Sequence, residues 1–77
     1  MDKEEMVKLL EALKAGDKEE IEALASGYFI TNGGACNWKN MKAFEEFSGC
    51  KIFPLEKDSF GWLIGGIKYE GKIYSYG

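Results

Sequence analysis

Cys36 is the residue of this chain whose neighbours come closest to equipping it for chemistry. It lies in the run Gly33-Gly34-Ala35-Cys36-Asn37-Trp38, just ahead of a segment with helical apolar spacing. A thiol at a helix N-terminus has its thiolate stabilised by the helix dipole and by free backbone N–H groups. Nucleophilic catalysis also needs a base to take the thiol proton, and the sequence contains no histidine. That absence leaves cysteine and carboxylate as the available metal ligands. The carboxylates of Glu4, Glu5, Glu19 and Glu20 occupy helix-start positions, where they offset the dipole in water. No acid lies in an apolar stretch that would raise its pKa for acid catalysis. The chain is expected not to be an enzyme and to use neither metal nor cofactor.

Over about six residues, this run resembles the cysteine-then-tryptophan helix start of papain-like proteases. It departs from that pattern by inserting Asn37 before the tryptophan, and the histidine partner that such chemistry requires is missing. The glycine pair fits neither the phosphate-binding loop, which needs G-K-[ST], nor the dinucleotide fingerprint, which needs three spaced glycines after a strand. A turn that redirects the chain accounts for Asn32-Gly33-Gly34. Cys36 and Cys50 are expected as free thiols, because a helix of about 11 residues between them would hold them roughly 16 Å apart, beyond disulfide reach.

Three helices are expected to position these residues. Asp2 and Glu5 form a capping pattern ahead of Met6, Val7, Leu9, Leu10 and Leu13, predicting a helix over 3–15 closed by Gly16. Asp17 and Glu20 repeat the pattern for a shorter helix over 18–26, with Gly27 as its stop and Tyr28 to Ile30 extended. Asn37 caps a third helix over 38–48, whose apolar band is Trp38, Met41, Ala43, Phe44 and Phe47, closed by Gly49.

Beyond Gly49 the period becomes that of strands. Residues 50–55 read as a strand in which Pro54 marks an edge or a bulge. Residues 60–69 and 72–76 read as a hairpin around Glu70-Gly71, with a rival turn at Gly65-Gly66. The expected architecture is a single α+β domain over residues 1–77: two N-terminal helices, and a third helix packed on a three-stranded antiparallel sheet spanning about 50–76. The acidic opening and the lack of any long apolar run predict a cytoplasmic protein with no membrane partner.

Charge and aromatic content divide the chain. Residues 1–26 carry eight acids against four lysines, while the rest carries five acids against six lysines. All ten basic residues are lysine, and all eleven aromatic residues lie at Tyr28 or beyond. The leading expectation is a binding module, for another protein or for itself, acting through aromatic surface on the strands at Trp62, Tyr69, Tyr74 and Tyr76. A second is an inhibitor presenting Glu19, Glu20 and Glu22 to a basic, nucleic-acid-handling target, a composition common among accessory proteins of mobile elements. The third is winged-helix DNA binding through Asn37, Lys39, Asn40 and Lys42, disfavoured by the missing arginines and a pI of 4.9.

Overall fold

The computed structural model describes residues 1–57, 59–61 and 63–76, with Leu63 described by its backbone only. It has three helices followed by a three-stranded antiparallel sheet, the α+β arrangement expected from the sequence. Helix α1 spans Lys3–Ala15, α2 spans Lys18–Phe29 and α3 spans Trp38–Ser48. Strands β1 (Lys51–Lys57), β2 (Leu63–Tyr69) and β3 (Lys72–Ser75) pair in chain order.

Local signals set most helix ends. The Asp2 carboxylate accepts from the Glu5 N–H at 2.9 Å, and the Glu5 carboxylate accepts from the Asp2 N–H at 3.0 Å, a complete capping box. Asp17 and Asn37 cap α2 and α3 in the same way, each accepting from the N–H three residues on. Gly16 and Gly49 close α1 and α3.

The end of α2 departs from expectation, because the helix runs through Gly27 and includes Tyr28 and Phe29. Ile21, Ala25 and Phe29 recur every four residues, and all three are fully buried. Burying the Phe29 ring is worth about 2–3 kcal/mol, more than the roughly 1 kcal/mol that glycine costs a helix interior. Gly27 faces solvent, and a Cβ there would meet nothing within 4 Å. Gly27→Ala is therefore expected to stabilise the fold by about 0.5–1 kcal/mol, measured by urea unfolding. Were Gly27 a left-handed cap, the same change would destabilise.

Residues 30–37 then make a tight loop. Ile30 bridges Cys36, Thr31 N–H donates to the Ala35 carbonyl at 2.8 Å, and Asn37 N–H donates to the Phe29 carbonyl at 2.7 Å.

In the sheet, Ile52 pairs with Ile67 and Ile67 with Tyr74, so all three project from one face. Helix α2 lies against β3 and α3 against β1 on that face, while α1 packs on the other two helices. Phe29 joins the layers, its ring centroid 5.9 Å from Phe44 and 5.6 Å from Tyr76. The β2–β3 turn falls at Glu70-Gly71, whose φ values of 48° and 81° are both positive, the geometry of a two-residue type I′ turn. Gly65-Gly66, the rival turn, lies inside β2.

Candidate functional site

Strand alternation determines which face each aromatic residue of the sheet reaches. Tyr74 and Tyr76 lie two residues apart and point inward, with 8% and 1% of their surface exposed. Tyr69, two residues beyond Ile67, is half-buried on the same side. The outward aromatic face expected of these tyrosines is therefore not theirs, and Trp62 lies outside the described residues. The layer of α2 and α3 claims the tyrosine side of the sheet because Phe29 and Phe44 need apolar partners there.

Among the described residues no helix lies over the opposite face, and apolar residues collect on it. Phe53, Ile64 and Ile73 are 37%, 47% and 66% exposed and come from three different strands. Gly66 lies between Phe53 and Ser75 in the register, with no side chain to fill the space. These residues, with Pro54, Glu56, Lys57 and Ser75, line a shallow open groove of about 450 Å³. At the β1–β2 connection Phe60 is almost fully exposed. None of these residues stands out in the sequence, where an isoleucine or phenylalanine in a strand looks like core.

One end of the groove is held open by a break in the β1–β2 register between Phe53 and Glu56, around Pro54. The irregularity frees backbone groups that side chains then satisfy. The Tyr76 hydroxyl donates to the Phe53 carbonyl at 2.6 Å, and the Leu55 N–H donates to Cys36 Sγ at 3.3 Å. The half-buried Cys36 is thus a structural acceptor, and both cysteines are free.

Burial, with a smaller contribution from Cys36, pushes the Tyr76 hydroxyl up to about 12 from its ordinary 10. Since the folded-state value lies above the unfolded one, the neutral hydroxyl's contribution is complete below about pH 10 and is lost as pH rises through about 12. Wild type is expected to lose about 1 kcal/mol between pH 9 and pH 11 through this group. Tyr76→Phe, less stable at neutral pH by roughly 1–2 kcal/mol, should show a shallower alkaline decline in urea titrations.

The acidic candidates do not form one patch. Glu19 and Glu22 sit about one turn apart on exposed α2, whereas Glu20 lies about 100° around the helix. Glu20 instead shares the surroundings of Tyr28, whose hydroxyl is raised above its ordinary pKa by burial and then by Glu5, Asp2 and Glu20.

On α3, the two asparagines proposed for base reading are occupied within the fold. Asn37 is the helix cap, and the Asn40 amide donates to the Tyr28 carbonyl at 2.8 Å while its oxygen accepts from the Met1 amine at 2.8 Å. Lys39 and Lys42 remain exposed.

Among the described residues, no cluster of three histidine, cysteine, aspartate or glutamate side chains could hold a metal ion. No described helix is long and apolar enough to cross a membrane. Comparison with protein-family models, curated proteins and solved structures gives no match.

Proposed function

We propose that this chain is a non-enzymatic protein-interaction module whose working surface is the helix-free face of its sheet. The observation that carries this reading is the exposure of Phe53, Ile64 and Ile73 around the open floor at Gly66. Keeping apolar side chains in water forgoes about 25 cal/mol for each Å² that could be buried, and contiguous apolar surface of this kind characterises interaction sites. The groove is concave and contributed by all three strands, so a partner seated there contacts a rigid scaffold rather than a loop. The engagement of Cys36 Sγ by Leu55 N–H, and the absence of histidine from the sequence, support a binding role over catalysis.

The test compares two charge changes. Ile73→Asp alters a largely exposed side chain, so the fold should survive with a loss of about 0.5–1 kcal/mol while the apolar surface is interrupted. Glu11→Lys, on the exposed side of α1, is the control: it shifts the charge by two units rather than one, and does so away from the groove. Affinity columns carrying wild type, Ile73→Asp and Glu11→Lys are loaded with lysate of the source cell, and retained proteins are re-tested in purified form. A partner held by wild type and Glu11→Lys, and weakened at least tenfold by Ile73→Asp, is the expected result. Identical retention by all three proteins would sink the proposal.

A further inference from the structure

We propose that the occupant of this sheet face is an acidic protein segment, one that sets apolar side chains into the groove and carboxylates against Lys51 and Lys68. This inference rests on the reading of the face as an interaction surface and adds the chemistry of the partner.

The observation behind it is a register pairing. Lys51 lies directly opposite Lys68 across the β1–β2 ladder, and Lys68 lies opposite Ile73 on its other side. Phe53 follows Lys51 by two residues and Gly66 precedes Lys68 by two, so both lysines project from the groove side of the sheet at its border. Like charges directly opposed across strands destabilise a sheet, and no neighbouring position in that register row supplies a carboxylate. At the far end, Lys57 and Glu56 line the groove together. Among the described residues the excess positive charge of this face is thus at Lys51 and Lys68, with Glu56 and Lys57 offsetting each other at the far end, in a chain whose net charge is −3. The compensating acidity sits on the N-terminal helices, behind the sheet. With a screening length of about 8 Å at physiological salt, an acidic partner near the groove meets the local positive charge rather than the distant negative one. Carboxylates seated against Lys51 and Lys68 would relieve the repulsion between the two lysines.

The same arrangement disfavours other occupants. A second copy placed face to face would bring two lysine pairs into one interface. A single-stranded nucleic acid needs aromatic faces for successive bases and a broadly basic surface, whereas among the described residues Phe53 is the one aromatic side chain lining the groove, and the chain is acidic overall.

The experiment is a selection of random twelve-residue peptides on the immobilised full chain, followed by titration of selected peptides. The expected peptides join aromatic or aliphatic residues to aspartate or glutamate. They bind about tenfold more weakly to Lys51→Gln/Lys68→Gln, lose binding with Ile73→Asp, and weaken as salt is raised. The double glutamine variant removes a like-charge pair, so a Tm equal to or above that of wild type certifies that its fold is intact. Peptides lost with Ile73→Asp but neutral or basic, and indifferent to the glutamine variant, overturn the acidic partner while leaving the interaction surface standing. If no peptide is sensitive to Ile73→Asp, both fall. Tighter binding of a twelve-nucleotide oligothymidylate, lost in the glutamine variant, assigns the face to nucleic acid instead. Sedimentation of wild type as a dimer and of Ile73→Asp as a monomer places a second copy there, and it too overturns the proposal.

Discussion

Phe29→Ala is expected to lower the unfolding free energy by about 4 kcal/mol, out of a total on the order of 8 kcal/mol for a chain of this size. The urea midpoint should fall by about half with an unchanged slope. Phe29 is fully buried and touches both the α3 ring of Phe44 and the sheet ring of Tyr76. Removing it therefore opens a cavity where α2, α3 and β3 meet, rather than trimming one pairwise contact. Because the three elements share this residue, they cannot collapse independently to fill the space. Circular dichroism during urea unfolding provides the measurement. A loss below about 1 kcal/mol would mean that Phe29 sits outside the core and that α2 stops near Gly27.

The second large effect separates two adjacent glycines. At Gly65 a Cβ would stand 2.5 Å from Tyr76 Cζ and 2.7 Å from its oxygen. The Tyr76 ring has nowhere to go, since its hydroxyl is bound to the Phe53 carbonyl and its body rests on Phe29. Gly65→Ala is expected to cost about 3 kcal/mol through overpacking and loss of that hydrogen bond, lowering Tm by roughly 15 °C. At Gly66 the corresponding Cβ would stand 3.0 Å from Ile73 Cγ2, a side chain free to turn into solvent. Gly66→Ala should cost under about 1 kcal/mol. It also raises the groove floor, so binding should suffer more than stability. Equal drops in Tm for the two variants would contradict the assignment of inner and outer faces.

These expectations show which parts of the structure could be read from sequence. The boundaries of α1 and α3 depend on Asp2, Gly16, Asn37 and Gly49, residues whose effect is confined to the adjoining turn, and those boundaries fall where expected. The end of α2 depends on Phe44 and Tyr76, far along the chain, and a locally plausible stop at Gly27 yields to their packing. The hairpin at Glu70-Gly71 is legible from its glycine and flanking strand residues, whereas the rival signal at Gly65-Gly66 reflects the packing of the Tyr76 ring against Gly65, a partner far along the chain.

The candidate site was harder to read, for a reason of symmetry. Alternation places Tyr74 and Tyr76 on one face and Ile73 and Ser75 on the other, but it does not say which face meets the helices. The tyrosines invited an outward reading through their hydroxyls. In the fold the Tyr76 hydroxyl finds the Phe53 carbonyl, and the plain aliphatic residues are left in water. The cross-strand meeting of Lys51 and Lys68 requires the register, which the irregularity around Pro54 makes inaccessible to counting along the sequence.

The polar bonds around that irregularity also limit how the molecule can grow. Pro54 has no N–H to offer, Leu55 N–H is taken by Cys36 Sγ, the Phe53 carbonyl by the Tyr76 hydroxyl, and the Ile52 N–H by the Glu45 carboxylate at 3.1 Å. At the other border β3 is only four residues long and lies against α2. A passing strand therefore finds few free N–H groups along β1 from Ile52 to Leu55, and sheet extension from chain to chain, the route to fibrils, is disfavoured at that border. Such a protein can keep an apolar face in water and still form assemblies of fixed size, because a face covered by one partner offers no place for a third.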